Sequence, residues 1–205
     1  MVLMVNSAIR GGISQSFLRY AKANNPYIPE SYDHSKSNTY IQYLDVTALY
    51  AHTMCRYLPY DDYDWLDDEE IASLTKNIHQ IPDECEIGYI LDTNISYPAY
   101  LHQQHFDLPF LCENKVPPLE GSKHAKLLTT LDDKTNYVVH YVALKQALKN
   151  GLVLEKINRG IKFRQKPYLK SFIEKNAQLR KEARGDPFKQ TLIKFCSNSI
   201  FGKML

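Results

Sequence analysis

The sequence predicts an α+β fold in which strands fill the middle of the chain and two helices form its C-terminal end. Short apolar runs within residues 84–141 are separated by proline-containing turns, as is typical of strands. Residues 142–149 have helical periodicity, and residues 152–164 have the pattern of one long strand or a strand pair. From Pro167 the pattern is helical except for a break at residues 185–187, which predicts two antiparallel helices.

The N-terminal part of the chain shows a different sequence of elements. A glycine pair at Gly11–Gly12 predicts a turn, and residues 17–24 predict a short helix after it. Residues 40–46 alternate as a strand does, and residues 48–58 have the spacing of a helix. Residues 61–78 open with an acidic run, which predicts a capped helix in their second half.

The composition is that of a globular protein, with 205 residues of which 44% are hydrophobic. No run approaches the roughly 20 apolar residues that span a bilayer, so no membrane partner is expected. The four cysteines are scattered without Cys-x-x-Cys pairs, which predicts reduced thiols rather than disulfides or a zinc site.

Charge is distributed unevenly along the chain, although the net charge is only +2. Residues 156–205 hold 13 Lys/Arg against 3 Asp/Glu, whereas residues 1–155 hold 12 against 20. The C-terminal quarter is therefore a candidate for binding a polyanion such as nucleic acid. A solvated helical face would carry the same charges, so charge alone leaves both interpretations open.

Asp45 lies where the predicted strand gives way to the predicted helix. A carboxylate at the edge of a sheet can hold a divalent cation such as Mg²⁺, which prefers hard oxygen ligands. The same residue could instead cap the helix that starts near Thr47. Its position in the pattern is compatible with either role.

Three residues of the last predicted helix share one face. Lys194, Asn198 and Phe201 are separated by four and three positions, which places a cation, an amide and an aromatic ring in a row. Such a face offers these three groups together to a ligand. The alternative is an apolar core position for Phe201 and a surface position for Lys194.

Residues 43–51 resemble motif A of the family B DNA polymerases, Asp-x-x-Ser-Leu-Tyr-Pro, with alanines in place of the serine and the proline. The resemblance implies that Asp45 is the catalytic ligand of two Mg²⁺ ions and that the backbone carbonyl of Val46 adds a further ligand. It also implies that Leu49 and Tyr50 bind the nucleotide, with the Tyr50 ring rejecting a ribose 2′-hydroxyl.

Residues 194–202 resemble motif B of the same family, Lys-x-x-x-Asn-Ser-x-Tyr-Gly, with phenylalanine in place of the tyrosine. The resemblance implies that Lys194, Asn198 and Phe201 bind the incoming deoxynucleotide. The residues of motif B to which it assigns DNA contacts are Ser199 and Gly202. Arg180 and Lys181 lie on the preceding helix, where they could face the same triphosphate or the template backbone.

Further segments resemble the protein-primed branch of the family, above all the polymerases of Maverick/Polinton elements and related viruses. Arg10, Gly11 and Gly12 resemble the Tyr-x-Gly-Gly segment of that branch, which joins exonuclease and polymerase parts and contacts DNA. The long interval between the two motifs matches the insertion that contacts the priming protein.

The resemblance implies a partial polymerase palm with an antiparallel sheet, an inserted subdomain and two antiparallel fingers helices. Residues 1–37 would be the connecting segment and residues 38–60 the palm with motif A. Residues 61–163 would hold the rest of the palm and the insertion, and residues 164–205 the fingers with motif B.

The implied activity is DNA-directed DNA synthesis with Mg²⁺, dNTPs, a DNA primer-template and a terminal priming protein. The chain contains no Tyr-x-Asp-Thr-Asp string, the motif of the second catalytic aspartate, so we expect an incomplete polymerase without activity of its own. The alternatives are a non-catalytic nucleic-acid-binding remnant of a viral or transposon polymerase, and an unfolded product. An intracellular, nuclear or virus-associated location is expected.

Overall fold

The computed structural model describes residues 1–13, 18–118 and 121–204. The chain divides into two compact units, the larger formed by Met1–Gly11 with Ala48–Leu205 and the smaller by Gly12–Thr47. Among the helices in the described ranges, none is long and apolar enough to cross a membrane.

The larger unit alternates helices and strands and ends in a pair of long helices. Its helices are α1 (Val2–Ala8), α2 (Leu49–Met54), α3 (Asp68–Asn77), α4 (His102–His105), α5 (Tyr141–Lys149), α6 (Lys170–Glu182) and α7 (Pro187–Met204). Its strands are β1 (Leu58–Trp65), β2 (Ile87–Ser96), β3 (Glu113–Lys115), β4 (Lys126–Leu128), β5 (Lys134–His140) and β6 (Val153–Lys166). Short 3₁₀ turns are Ile78–Gln80 and Ala99–Leu101, and the smaller unit has one at Pro29–Ser31.

A four-stranded antiparallel sheet in the order β1-β6-β2-β5 forms the centre of the larger unit. The long strand β6 pairs on both sides, so that Ile161 is aligned with Trp65 of β1 and with Ile90 of β2. Strands β3 and β4 form a separate antiparallel pair. The predicted α+β class and antiparallel sheet are therefore confirmed.

The main core lies between the sheet and the helices α3 and α5. Leu91 of β2 and Leu144 of α5 are fully buried there. Gly160 of β6 permits the close packing, because a Cβ at this position would lie 2.8 Å from Leu91 Cδ2 and closer still to Leu66. Ile90 points to the opposite face from Leu91, where it joins a second apolar cluster that α1 covers.

The start of α3 and the end of α5 follow from local sequence. Asp67 begins α3 with a capping box, in which its carboxylate accepts a hydrogen bond from Glu70 N at 2.8 Å and the Glu70 carboxylate accepts one from Asp67 N at 3.1 Å. Gly151 follows α5 with a φ of +97°, as a glycine at a helix end does. The predicted helices at these positions are confirmed.

The two C-terminal helices contact each other across the connection formed by residues 183–186. Gly185 has a φ of +95°, which lets the chain reverse, and Asp186 Oδ1 accepts a hydrogen bond from Lys189 N at 3.0 Å at the start of α7. A connection this short makes a helical hairpin.

Three predictions for the N-terminal part are wrong. Residues 40–46 are not a strand, because no strand of the described sheets pairs with them and an extended segment needs such a partner. Residues 18–24 form no helix, and residue 17 lies outside the described ranges. Helix α2 is shorter than predicted because the chain already enters β1 at Leu58.

Side-chain bonds of Asn24 and Asn25 explain the missing helix in the smaller unit. The Asn24 Nδ2 group donates to the carbonyls of Asp33 at 3.0 Å and Ser37 at 3.2 Å, and its Oδ1 accepts from Asp33 N at 2.8 Å. Asn25 Nδ2 donates to the Thr39 carbonyl at 2.9 Å. These bonds close a loop and compete with helical hydrogen bonding.

Candidate functional site

The ring of Tyr50 in α2 stacks on the ring of Phe201 in α7, with centroids 4.3 Å apart and planes inclined by 21°. The stack joins the two segments that resemble motifs A and B. Tyr50 keeps 52% of its surface exposed, as does its neighbour Leu49, and Phe201 is half-buried. An aromatic surface is thus available to a ligand beside the stack.

Helix α2 is held in place by the C-terminal helices. It contacts both α6 and α7, and its last residue, Met54, is buried. Burial raises the pKa of the Cys55 thiol, Glu174 raises it further and Lys170 opposes the shift, so the end of α2 lies beside α6. Ala48, with a φ of 54°, turns the chain into α2.

Lys194 and Asn198 are exposed on α7. The helix runs through the whole predicted face, so Lys194, Asn198 and Phe201 lie on one side of it as their spacing requires. Neither Lys194 nor Asn198 makes a side-chain hydrogen bond or ion pair with another described residue. Their side chains are accessible, and their binding of a nucleotide stays a prediction.

The predicted DNA contacts of the C-terminal region are exposed on α6 and α7. Arg180 and Lys181 lie in the last turn of α6, where cations also interact favourably with the helix dipole. The Ser199 hydroxyl donates to the Cys196 carbonyl at 3.0 Å. No described atom lies within 4 Å of the place of a Cβ at Gly202, so the helix surface is open there.

Asp45 and Val46 lie in the smaller unit and are exposed in a segment without regular secondary structure. A carboxylate and a backbone carbonyl are oxygen donors of the kind that Mg²⁺ prefers. Within the described ranges, however, no group of three or more His, Cys, Asp or Glu side chains could hold a metal ion. The metal role of Asp45 and Val46 stays a prediction.

Arg10 is engaged by the sheet of the larger unit. Its Nη1 donates to the Val138 carbonyl at 2.7 Å, and its guanidinium carbon lies 3.9 Å from the centroid of the Tyr137 ring. Burial raises the pKa of Tyr137 to about 12, against the opposing charge of Arg10. Sequence patterns gave no sign of this contact, because both of its partners lie on the distant strand β5.

Gly11 and Gly12, next to Arg10, both have open space where a Cβ would stand. Their backbone is accessible, which is compatible with the DNA contact that the resemblance implies. That contact stays a prediction for all three residues.

A family model described as DNA polymerase type B, organellar and viral, matches residues 28–204. The chain belongs to this family. The match spans both motif-like segments, so the family resemblance that they carry is confirmed for this type B polymerase chain.

Two solved structures of the Phi29 DNA polymerase are similar to this type B chain. An orthorhombic crystal form has 20% identity and a TM-score of 0.46, and a ternary complex with primer-template DNA and incoming nucleotide substrates has 19% identity and a TM-score of 0.43. Each similarity covers 78% of this chain, and the chain spans 25% of the length of the Phi29 enzyme. A search of curated proteins found no match.

Proposed function

We propose that this chain is the nucleotide-binding part of a protein-primed type B DNA polymerase, which adds deoxynucleotides to a primer on a DNA template. The observation that carries the proposal is the Tyr50–Phe201 stack, because it joins the two segments to which the resemblance assigns the incoming nucleotide. Membership of the type B family supports it.

Each residue of the proposed site suits one part of a dNTP. Lys194 offers a positive charge to the triphosphate, and Asn198 offers an amide that can donate and accept hydrogen bonds. Tyr50 would lie beneath the sugar and exclude a 2′-hydroxyl, while Leu49 adds apolar contact. Phe201 would pack against the base pair.

Template and primer would follow the exposed polar surface of the helical hairpin. Arg180 and Lys181 would neutralise phosphates, and the open surface at Gly202 would let the DNA backbone come close. In this proposal residues 164–205 are the fingers and residues 61–163 hold the insertion that meets a terminal priming protein.

The reaction joins the primer 3′-oxygen to the α-phosphorus of the dNTP and releases pyrophosphate. Bound Mg²⁺ would supply the positive charge that this transfer needs, with Asp45 and the Val46 carbonyl as its proposed ligands. Because the sequence lacks the Tyr-x-Asp-Thr-Asp motif of the family, we expect this chain to bind nucleotide without extending a primer. Sustained Mg²⁺-dependent extension by the chain alone, abolished by Asp45→Ala, would contradict this part of the proposal.

Calorimetric titration of the chain with dATP in the presence of Mg²⁺ tests the binding function. Lys194→Ala removes a charge-assisted contact and should weaken binding about tenfold, or about 1.4 kcal/mol. Lys126→Ala, at an exposed lysine of β4, is the matched control and should change nothing. The same affinity in both variants contradicts the site.

The basic hairpin also supports the competing function of a nucleic-acid-binding protein without catalysis. In that case DNA binding would fall steeply with salt, and Lys194→Ala would leave dATP binding in the same titration unchanged.

A further inference from the structure

A cationic cleft of about 580 Å³ lies in the larger unit. Its polar lining residues are Arg56, His79, Asp83, Lys145, Gln146 and Lys149. They include none of the residues of the proposed dNTP site. The volume falls in the range of small-molecule sites, which is about 300–1,000 Å³.

One face of α5 supplies most of this lining. Val142, Lys145, Gln146 and Lys149 follow the i, i+3, i+4, i+7 spacing that keeps residues on one side of a helix. The other side of α5 is buried in the main core at Leu144. Burial of that side fixes the polar face toward the cleft.

The cleft has two cations without an acidic partner. Lys145 Nζ pairs with Asp83 Oδ1 at 2.5 Å and also donates to the Ile81 carbonyl, so its charge is compensated. Arg56 and Lys149 are exposed and form no ion pair with a described residue. A guanidinium and an ammonium facing one cleft favour a phosphate ligand.

A smaller pocket of about 260 Å³ adjoins the cleft, because His79 lines both. Its walls combine the polar side chains of Thr75 and His79 with apolar groups of Leu148, Val153 and Leu154. A nucleobase has apolar faces and a polar edge and is joined to an anionic phosphate, so a mixed pocket beside a cationic cleft suits a nucleotide.

We propose that the adjoining pockets bind a nucleotide unit, with its phosphate at Arg56 and Lys149 and its base in the smaller pocket. The shared chemistry is that of a phosphorylated nucleoside, supplied either as a free nucleotide or as part of a single strand of DNA. The site is separate in its residues from the proposed dNTP site and does not depend on it.

Lysine footprinting of the full chain tests the site directly. Acetylation of Lys149 is measured by mass spectrometry with a single-stranded oligonucleotide, with dATP and with inorganic phosphate, and the exposed Lys126 of β4 serves as the reference. We expect several-fold protection of Lys149 and none of Lys126, and the ligand that protects identifies the source. Unprotected Lys149 with both nucleic ligands, or protection by inorganic phosphate alone, would overturn the proposal.

Two double variants with reversed charges test the binding of whichever ligand protects Lys149. Arg56→Glu with Lys149→Glu should lower dATP affinity at least tenfold, or reduce the salt slope of single-strand binding by about 1.4 for two lost phosphate contacts. Lys123→Glu with Lys126→Glu makes the same charge change at exposed lysines outside the cleft. Equal binding by the two double variants would overturn the proposal as well.

Discussion

Tyr50 and Phe201 lie face to face, with ring centroids 4.3 Å apart, and so tie the short helix α2 to the last helix of the chain. Stacked aromatic pairs contribute beyond the area that they bury. The contact therefore has a measurable energy as well as a functional meaning.

A double-mutant cycle with Tyr50→Ala and Phe201→Ala should give a coupling free energy of about 0.5–1.5 kcal/mol. Urea denaturation of the four proteins measures it. The pair Tyr50→Ala and Phe195→Ala is the control, since Phe195 is an exposed ring of the same helix that forms no ring contact with Tyr50. If the losses in free energy of unfolding of Tyr50→Ala and Phe201→Ala simply add in the double variant, the stack does not form.

Gly202→Ala separates helix stability from DNA binding. The structure leaves open space at Gly202 within α7, so alanine should leave stability unchanged or raise it by up to about 1 kcal/mol. If the DNA backbone approaches this position, the same change should weaken primer-template binding. Unchanged binding with raised stability would remove Gly202 from the DNA interface.

Lys134 is a fully buried cation, and its Nζ lies 2.8 Å from Glu113 Oε2 and 2.7 Å from Thr130 Oγ1. Burial lowers the pKa of Lys134. Burial also acts to raise the pKa of Glu113, but hydrogen bonds from Lys134, Thr130 and Lys115 outweigh it and lower that pKa.

Glu113→Gln should therefore destabilise the chain by about 3–5 kcal/mol, because it leaves a buried charge without its counter-ion. Chemical denaturation measures the loss. Adding Lys134→Met to Glu113→Gln should recover much of the lost stability. The single variant Lys115→Met removes the more exposed ion-pair partner of Glu113 and should cost only about 0–1 kcal/mol. A small effect of Glu113→Gln would mean that Lys134 is not held in this network.

The stability of the chain should depend on the protonation of His140. Burial lowers the pKa of His140 to about 4, while the unfolded chain has the ordinary value of about 6.5. The unfolded state therefore binds the proton more readily. The contribution of His140 to the free energy of unfolding is fully present above about pH 6.5, and about 3 kcal/mol of it is lost as the pH falls toward 4.

His140→Asn should flatten this part of the profile of urea midpoint against pH. Asparagine can still cap α5, where His140 Nδ1 accepts from Val142 N. His124→Asn, in an exposed loop, should leave the slope unchanged. Equal slopes for both variants would contradict the burial of His140 as a neutral ring.

The sequence predicted the elements whose signals are local. The acidic cap of α3, the glycine that ends α5 and the break before α7 each act within a few residues, and each is confirmed. The pairing of Tyr50 with Phe201 agrees with the motif resemblance, because both residues were assigned to one ligand.

Elements that depend on distant partners could not be predicted in this way. Strand β1 is rich in aspartates, as a polar loop would be, but it pairs with β6. Arg164 Nη1 of β6 lies 3.6 Å from Asp62 Oδ2 of β1. The segment around Asp45 has the alternation of a strand and lacks a described partner. For the cationic cleft the spacing on α5 was visible, but Arg56 and His79 join it only through tertiary folding.

The affinity of the chain for dATP relative to ATP tests whether Tyr50 and Phe201 belong to a deoxynucleotide site. We expect the wild type to prefer dATP and Tyr50→Val to lose this preference by gaining affinity for ATP. The control Tyr63→Val, at an exposed tyrosine of β1, should keep the preference. Equal affinity of the wild type for both nucleotides, or an unchanged preference in Tyr50→Val, would show that this site does not select a deoxynucleotide.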